Sequence, residues 1–511
     1  MRITSSSGTV GLTACILALI GSQRAAAADF PVHATGDLAA NGAALVAAIR
    51  AAMLTPEEDD RVLLDPGAHY LLANPDPTYP DSGLPLIDSG ITILGGYNSN
   101  GELTTIERKM DAAPFRIMHI QPRIRYVKNT HCDGARYPLD LQPTVRLEYV
   151  RISKGDVGDA GGDDLHKGGG IYNQDGRLVL YRSDVNGNRA DFGGGIANDS
   201  YTLKYQVGCS GVLESDFTFA GTASIQESSV RGNVGILSGG GILNDTVMNI
   251  DHSTINANEG DEHGGGILNG GSLEVAESTV SGNFNGGDRG GDAGAGIYQA
   301  AGSLTVTFST VAFNQGSGIA NVSSTLTTLS DTILAGNNAL YEDGAGLLPL
   351  DCFGTFRSLG HNLIGAADPR STCVVTASRN DQIGFDRAAP IDAKLAELAA
   401  NGGFTQTHAL KEGSPAIDHA DSFSSVCPVD DQRGVIRRRI PGDACDIGAY
   451  EKVVPGSCGL DCTLWRVISV CENNPYSCEK FIVPKINELP QVPDCLLDGP
   501  GCLVPPPVDF Q

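Results

Sequence analysis

The chain has 511 residues, with 35 Lys or Arg against 60 Asp or Glu, so its formal net charge is −25 at pH 7. A surface of this sign repels phosphate backbones, which excludes nucleic acid as an expected partner. A polyanionic polysaccharide would need a local basic groove or bridging cations to overcome the same repulsion. After the N-terminal leader no apolar run reaches about 18 residues, so we expect no transmembrane segment.

Residues 1–28 have the three parts of a secretory signal peptide. Arg2 supplies the positive charge, residues 10–20 the apolar stretch, and residues 26–28 a small-residue cleavage site. This pattern predicts that the mature chain begins at Asp29 and works outside the cytoplasm, either secreted or at the cell surface, including the outer membrane. Cys15 leaves open a lipoprotein signal, which would place the protein on a membrane instead.

Residues 29–60 are predicted to form an N-terminal cap. The stretch 41–53 is rich in alanine and carries the apolar residues Leu45, Val46 and Ile49, which favours a short helix. Such a helix could close the first turn of a stacked structure, whose open end would otherwise expose strand edges. Strand-like stretches follow at residues 62–64 and 91–94.

A repeated glycine phrase dominates the middle of the chain, where much of the excess of glycine lies (65 of 511 residues). Successive copies are 25, 46, 25, 30 and 22 residues apart, which is the spacing of solenoid coils with one long insertion that includes Cys209. The phrase is Gly-Gly-Gly-Ile, with looser final copies, and its isoleucines are Ile171, Ile196, Ile242, Ile267, Ile297 and Ile319.

A second phrase follows each glycine phrase, with two alternating apolar residues, then Ser-Thr-Val or a variant, then asparagine. The asparagine suits a turn because it tolerates the left-handed conformation and because stacked amides can hydrogen-bond as a ladder. The clearest copies contain Leu178, Leu180, Ser183, Val185 and Asn188; Met248, Ile250, Ser253, Ile255 and Asn258; Leu273, Val275, Ser278, Val280 and Asn283; and Leu304, Val306, Ser309, Val311 and Asn314.

Alternation with a period of two, in segments too short for buried helices, predicts short strands with one face inward. Because a single coil cannot bury its own apolar row, coils must stack to make a continuous core. The predicted fold class is therefore all-β: a right-handed parallel β-helix over residues 61–350, with the N-terminal capping helix, a C-terminal end segment over residues 351–452 and a small Cys- and Pro-rich tail over residues 453–511.

The chain contains 13 cysteines, and outside the reducing cytosol these predict disulfides. We expect Cys352 to pair with Cys373 and Cys427 with Cys445, because each pair closes a short local loop. Six further cysteines in the tail could form up to three bridges whose connectivity the sequence leaves open.

Four spaced words in the C-terminal half carry a family resemblance. They are Asn401-Gly-Gly-Phe-Thr-Gln-Thr-His-Ala-Leu410, Gly413-Ser-Pro-Ala-Ile-Asp418, Asp431-Gln-Arg-Gly434 and Cys445-Asp-Ile-Gly-Ala-Tyr-Glu451. Together with the coils, they make residues 60–451 resemble the choice-of-anchor Q proteins. The resemblance implies an exported right-handed β-helix whose end segment precedes a variable surface-anchoring device. The coils are more distantly similar to the repeats of polymorphic outer membrane proteins.

Acidic residues collect just before the glycine phrases and make weak candidates for calcium, which prefers oxygen ligands. The alternative is an ordinary solvated acidic rim, with His166 and His263 as exposed turn residues. The candidates are Asp163, Asp164, Asp261, Glu262, Asp288 and Asp292. Apart from this possible calcium, the sequence assigns no cofactor.

The sequence assigns no catalytic residue either. Asp163-Asp164 and Asp251-His252 are isolated fragments of polysaccharide-degrading signatures. Asp251-His252 also aligns with Ala276-Glu277 and Thr307-Phe308 in neighbouring coils, so we expect all three pairs to be variable outward positions.

Two functions remain from different classes. The favoured hypothesis is a non-catalytic, adhesin-like binding or structural rod whose partner is a glycan or a surface protein. The alternative is a carbohydrate-active enzyme, a lyase or glycoside hydrolase, acting on an acidic polysaccharide. The feature that would decide between them is a cleft where an arginine or lysine and carboxylates from several coils converge.

Overall fold

The computed structural model describes residues 27–54, 60–123, 125–128, 136–139, 142–158, 166–206, 214–286, 294–325, 327–340, 347–367, 373–376, 378–386, 388–421, 427–437 and 444–452. Residues 1–26 of the predicted signal peptide and the whole predicted tail lie outside these ranges. In the described part, short strands pair mostly in parallel, each with a strand one coil away. The predicted all-β parallel β-helix is therefore confirmed.

The first ladder of strands carries the alternating apolar pairs of the second phrase. Its inward side chains stack in register, as Leu178 on Ala223 and Ile250 on Val275 show. Its strands are Asp29–Val32, Asp60–Leu64, Ile91–Leu94, Thr144–Glu148, Arg177–Tyr181, Thr222–Gln226, Val247–Asp251, Ser272–Ala276, Ser303–Thr307, Thr327–Ser330, Cys352–Ser358 and Cys373–Thr376.

The second ladder carries the Ser-Thr-Val part of the phrase and has 11 strands in the described part of the chain. Ile255 stacks on Val280, and Val280 on Val311. Its strands are His69–Leu72, Thr104–Arg108, Val150–Ser153, Asp184–Asn186, Ser229–Arg231, Thr254–Asn256, Thr279–Ser281, Thr310–Ala312, Ile333–Ala335, Leu363–Ile364 and Gln382–Ile383.

The third ladder begins at the isoleucines of the glycine phrase, which stack directly on one another. It joins the first ladder at Cys352–Ser358, because that long strand pairs with strands of both. Its own strands are Met118–Ile120, Ile171–Gln174, Ile196–Gln206, Ile242–Asn244, Ile267–Asn269, Ile297–Gln299 and Ile319–Asn321.

Smaller elements leave the three ladders. A short fourth ladder contains Arg189–Phe192, Val234–Ser238, Glu259–Gly260 and Phe284–Asn285. Within the described residues, four antiparallel pairs form hairpins: Arg125–Lys128 with Arg136–Leu139, Ile196–Gln206 with Glu214–Ala220, Asn338–Leu340 with Leu347–Pro349, and Leu395–Ala399 with Thr407–Leu410. The second hairpin is the long insertion predicted from the 46-residue spacing.

Buried amides stack along the rod as predicted. The first hydrogen bond of one row runs from Asn188 Nδ2 to Asn233 Oδ1 at 2.9 Å. The last runs from Asn337 Nδ2 to Asp351 Oδ1 at 2.8 Å. A second row starts at Asn173 and Asn198, which are 2.7 Å apart. Each amide satisfies the next within a dry interior, where an unpaired polar group would be costly.

The predicted left-handed asparagine is wrong by one residue. The residue before each asparagine has positive φ, as at Gly187 (61°), Ala257 (52°) and Phe313 (56°), while the asparagines themselves do not. A second left-handed position precedes the recurring serine and is occupied by Arg182 (48°) and its equivalents. The asparagine is therefore selected for its amide ladder and not for its backbone conformation.

The predicted capping helix is present as Leu38–Ala52, close to the expected residues 41–53. Asp37 caps it by accepting hydrogen bonds from the backbone N–H groups of Ala39 and Ala40. Leu45 and Ile49 face the core, and Asn41 Nδ2 donates to His69 O at 3.0 Å, so the helix covers the first strand of the second ladder. In the described part of the chain, no helix is long and apolar enough to cross a bilayer.

The coils extend beyond both predicted boundaries of the β-helix. Asp29–Val32, expected in the cap, is the first strand of the first ladder. At the other end, strands as late as Gln382–Ile383 continue the ladders past residue 350. The last glycine phrase ends at Ile319, but later coils bury other apolar residues, such as Phe356, in the same core. The glycine phrase alone therefore underestimates the length of the stack.

After the last coil the chain folds back along the second ladder. We call this part the C-terminal clasp, comprising residues 388–421, 427–437 and 444–452. It forms a second apolar core with the rod, in which Leu395 and Ile447 of the clasp pack with Phe308 and Ile333 of the coils. The clasp therefore covers one side of the β-helix and forms a wall of the cleft described below.

Candidate functional site

A cleft of about 360 Å³ lies where the second ladder meets the tip of the clasp. Residues from neighbouring coils line it from below, and Phe404 and Gln406 of the clasp line one side. Its charged and aromatic lining residues are Tyr97, Arg151, Arg182, Asp184, Glu227, Arg231 and Phe404. We call it the arginine cleft. It is a place where arginines and carboxylates from several coils converge.

Arg182 is the anchored arginine of this cleft. Its Nε donates to Glu227 Oε2 at 2.9 Å and its Nη1 to the Tyr149 hydroxyl at 3.0 Å, while its guanidinium lies 3.7 Å from the centroid of the Phe404 ring. Burial lowers the pKa of Arg182, but Glu227 more than compensates and raises it. Because most of its donors are occupied, Arg182 positions the walls of the cleft and joins the clasp to the rod.

Asp184 binds two arginines from the coils on either side. Arg151 Nε donates to its Oδ2 at 2.8 Å, while Arg231 donates from Nε at 3.0 Å and from Nη2 at 2.8 Å. The carboxylate is buried, whereas the side chains of Arg151 and Arg231 are 33% and 42% exposed. One buried carboxylate therefore holds two guanidinium groups at the surface.

Tyrosines from three successive coils form a row beside these arginines. The ring centroids of Tyr97 and Tyr149 are 6.1 Å apart and those of Tyr149 and Tyr181 are 5.9 Å apart, in edge-to-face geometry. Burial raises the pKa of Tyr97 and of Tyr181, so both hydroxyls stay neutral at physiological pH. Such a row offers ring faces and hydroxyl groups of the kind that recur in recognition sites.

The sequence did not point to this cleft. Arg151 and Arg231 lie far apart along the chain, and only the coil register brings them to either side of Asp184: Arg151 pairs with Asp184, and Asn186 pairs with Arg231. The sequence feature that could have located the cleft is the set of outward-facing residues on successive second-ladder strands. Since Arg231 is diagonal to Asp184, a simple shift by one coil length would still have missed the full set.

A second polar cluster lies on the third ladder. Lys167 Nζ is 2.6 Å from Asp199 Oδ2 and 3.5 Å from Asp245 Oδ2, and the Tyr172 hydroxyl donates to Asp199 at 3.4 Å. Burial, and to a lesser extent Asp199, raises the pKa of Asp245. Two neighbouring carboxyl groups, one of them with a raised pKa, can serve acid–base chemistry, although here both contact one ammonium group.

The clasp docks on the threonines of the Ser-Thr-Val repeat. Thr254 Oγ1 donates to Gln406 O at 2.6 Å, Thr279 Oγ1 donates to Gln432 Oε1 at 2.6 Å, and Thr310 Oγ1 accepts from Ala449 N at 3.1 Å. Because the threonines recur at the same place in each coil, they form a straight row of partners for the clasp. The repeat therefore determines where the C-terminal segment attaches.

The words that carry the family resemblance lie in the clasp, where some of their residues, such as Asp431 and Arg433, are buried and others, such as Phe404, are exposed. Arg433 binds Asp431 at 2.6 Å and stacks 3.6 Å from the centroid of the Tyr450 ring, and both partners also come from these words. Arg437, between two of the words, donates to Glu277 of the rod at 2.5 Å and lies 3.5 Å from Glu451. These residues hold the segment together and attach it to the coils.

The expected outward positions do point away from the coil, but two of them are not exposed to solvent. Glu277 and Phe308 do point away from the coil, but the clasp covers both, and each contacts Arg437. Burial raises the pKa of Glu277 to about 8, against the lowering effect of Arg437. Single-coil alignment could not show this, because the covering segment lies more than 100 residues further along the chain.

His252, another of these positions, connects the rod to the clasp. Its Nδ1 lies 2.9 Å from Asp251 and its Nε2 3.6 Å from Asp430 of the clasp. Burial alone would lower its pKa, but hydrogen bonds to the two aspartates, with a further contribution from Glu277, raise the pKa of His252 to about 10. The protonated imidazole therefore bridges the two parts of the molecule.

We expect the protein to lose stability as pH rises from about 6.5 to 10. The raised folded pKa of His252 stabilises the fold fully below the unfolded value of about 6.5, and this contribution disappears as the imidazole loses its proton in the folded state. Glu277 and Glu451, whose pKa values burial raises to about 8, act in the same direction. The measurement is the thermal midpoint across this pH series.

The matched variants are His252→Gln and His33→Gln. His252→Gln should flatten part of the alkaline decline, whereas replacement of the exposed His33 near the N-terminal end of the rod should leave the profile unchanged. Identical pH profiles for wild type and His252→Gln would show that the histidine bridge does not contribute.

The calcium candidates are only partly described. Asp163, Asp164, Asp288 and Asp292 lie outside the described residues. Asp261 is exposed and Glu262 half-buried on the turn that leads to the glycine phrase. Within the described ranges no three His, Cys, Asp or Glu side chains converge as metal ligands. His166 and His263, expected as exposed turn residues, are half-buried, and His263 packs 4.3 Å from Tyr298 between ring centroids.

Both expected disulfides are present. Cys352–Cys373 joins neighbouring strands of the first ladder near the end of the rod, and Cys427–Cys445 closes a loop of the clasp. The first bond therefore stabilises the terminal part of the stack, where fewer neighbouring coils are available, and the second stabilises the clasp.

No family model and no curated protein matches this chain. Among solved structures it is similar to the crystal structure of pectate lyase Pel9A. The two share 14% identity with a TM-score of 0.45, over 84% of this chain and 97% of the other.

Proposed function

We propose that this protein is a non-catalytic, glycan-binding rod that is exported and works in a secreted or cell-surface location. The arginine cleft is the observation that carries the proposal. Tyr97 and Phe404 provide aromatic rings in its lining, and its arginines provide hydrogen-bond donors. Arg151 and Arg231 sit on a rigid stack of strands, which reduces the ordering cost of binding.

The state of the carboxylates supports binding over cleavage in this cleft. Asp184 accepts from two arginines and Glu227 accepts from Arg182, so both side chains are committed to ion pairs. Both oxygens of each carboxylate already accept N–H groups from these arginines, so a proton from a bound ligand would have to compete with those hydrogen bonds. The cleft therefore lacks an available carboxylate base for attack on a glycosidic bond.

The proposed location and family rest on separate features. Disulfides persist in oxidising compartments, and the two bonds of the rod and clasp fit a protein exported by the predicted signal peptide. We also propose that the chain is a choice-of-anchor Q protein. The clasp supports this proposal, because residues of the shared words, such as Asp431 and Arg433, contact one another.

One observation favours the alternative, a carbohydrate-active enzyme. The Lys167, Asp199 and Asp245 cluster holds two carboxylates from neighbouring coils, one of which has a raised pKa. A carboxyl group with a raised pKa beside a second carboxyl group is a pattern of glycoside hydrolysis. If the protein cleaves glycans, we expect the activity to depend on this cluster and not on the arginine cleft.

Incubation with a panel of polysaccharides and surface proteins tests the proposal. We expect the purified protein to be retained on at least one immobilised glycan while the polymer keeps its length. Retention and reducing-end release should be measured on the same samples. Release that disappears in Asp245→Asn but persists in Arg231→Gln would replace binding by the enzymatic alternative. Retention on surface proteins but on no glycan would contradict the proposal that the partner is a glycan.

A further inference from the structure

We propose that the arginine cleft binds a polysaccharide carrying carboxylate groups, with Arg151 and Arg231 as the residues that select the negative charge. This inference rests on the proposed glycan-binding function and specifies its ligand class. The evidence comes from the way the two arginines share Asp184, from their exposure and from the charge of the surrounding protein.

The hydrogen bonds of the cleft leave donors facing solvent. Arg151 contacts Asp184 through Nε, and Arg231 contacts it through Nε and Nη2. Within the described residues, the remaining Nη groups of these two side chains have no protein acceptor. A guanidinium group is planar and offers its N–H groups as a fork that matches a carboxylate. The cleft thus presents two partly occupied forks at its surface.

The charge balance of the cleft has the opposite sign to that of the whole chain. Its lining contains three arginines against Asp184 and Glu227, in a protein whose formal net charge is −25. An anionic polymer approaching most of this surface would be repelled, and the arginine cleft is a local exception. The arginine cleft is therefore a local basic groove of the kind that binding of an anionic polysaccharide requires.

The spacing of the arginines suits a polymer over a single small anion. Arg151 and Arg231 belong to second-ladder strands separated by one intervening strand, Asp184–Asn186. Two steps of the ladder correspond to about 10 Å. A polymer with a carboxylate on each sugar unit has several registers in which two carboxylates can meet both arginines, and its sugar rings can pack on the neighbouring tyrosines.

The clasp completes this site. Phe404 stacks on Arg182, and Gln406 lies beside it on the same wall. Arg182 in turn holds Glu227, so the anchored ion pair and the aromatic ring define the depth of the cleft. We therefore expect the full rod with its clasp to be needed for binding, and every test below uses the complete mature chain.

The probes are polygalacturonate and a matched neutral polymer made by reducing its carboxyl groups. We expect retention of the wild-type protein on polygalacturonate, weaker retention on the reduced polymer, and weakening with added NaCl because salt screens exposed charges. Chelator should leave binding unchanged, since the arginines bind the carboxylates directly. Dependence on added calcium would overturn the arginine mechanism.

The variants separate charge recognition from folding. Arg151→Gln and Arg231→Gln should each weaken binding to polygalacturonate by about tenfold or more, which is the effect of losing a charged hydrogen bond. Arg231→Lys should restore only part of the affinity, because lysine keeps the charge and loses the fork. The control is Arg177→Gln, which replaces an exposed arginine of the first ladder. This variant should bind polygalacturonate as the wild-type protein does. Thermal unfolding identifies any variant that has lost its structure.

The possible failures are distinguishable. Equal retention on the neutral and acidic polymers would overturn the proposed charge selection and leave glycan binding intact. Loss of binding in Arg177→Gln as large as in the cleft variants would show that the cleft is not the site. No retention on any glycan would contradict the proposed function itself, and cleavage of the polymer would contradict its non-catalytic character.

Discussion

Replacing Ile267 by aspartate is expected to prevent the rod from folding. Ile267 is fully buried and stacks between Ile242 and Ile297 on the third ladder. Aspartate would place a carboxylate without a partner in the continuous core, at a cost of several kcal/mol. Since each coil depends on its neighbours, the disruption should spread to adjacent coils. The measurement is the yield of soluble protein and its thermal unfolding.

The matched control for this variant is Val247→Asp. Val247 is also an apolar residue on a ladder strand, but its side chain points outward and the residue is 43% exposed. The same new charge at that position should change stability little, because water can solvate it. A normally folded Ile267→Asp protein would contradict the assignment of the glycine-phrase isoleucines to the core.

The second large effect is expected for Arg437→Met. The Arg437 side chain is fully buried, and its loss would leave Glu277, together with Glu451, without a cationic partner between rod and clasp. Removing one member of a buried ion pair destabilises by about 3 to 5 kcal/mol. We expect the clasp to detach first, because the apolar cluster that joins it to the rod is separate from the main core of the coils. Limited proteolysis and hydrogen exchange should therefore show cleavage and exchange in the clasp before the coils.

Two further variants test the cause. Arg357→Met removes an exposed arginine of the last coils and should have little effect. The double variant Glu277→Met with Arg437→Met should regain part of the lost stability, because the unpaired carboxylate of Glu277 is then also absent. If Arg437→Met and Arg357→Met were equally stable, the buried ion pair would not hold the clasp.

Much of the fold could be predicted because it repeats. The isoleucines of the glycine phrase, the valines after Ser-Thr and the asparagine row recur at nearly constant spacing, and stacking converts that spacing into contact. The disulfides could be predicted as well, since Cys352 and Cys373 are close in sequence. The limits of the β-helix could not, because coils such as Cys373–Thr376 share its geometry without its glycine phrase.

The candidate site was beyond the reach of the same method. Arg151, Asp184 and Arg231 occupy positions that vary from coil to coil, so repetition carries no information about them. Their convergence depends on the register of adjacent strands, including the diagonal step from Asp184 to Arg231. The wall formed by Phe404 depends on a segment that returns along the rod from far down the chain.

The sequence by itself therefore determined the stacked architecture, its apolar core and its amide ladders, because these depend on contacts between equivalent residues of neighbouring coils. Only the tertiary structure decided which outward residues are covered and which meet in a cleft. Glu277 and Phe308 become buried, while Arg151 and Arg231 remain partly exposed, because the clasp covers only some of the coils. Where that clasp lies follows from the threonine row and from Arg437, and those contacts join residues more than 100 positions apart.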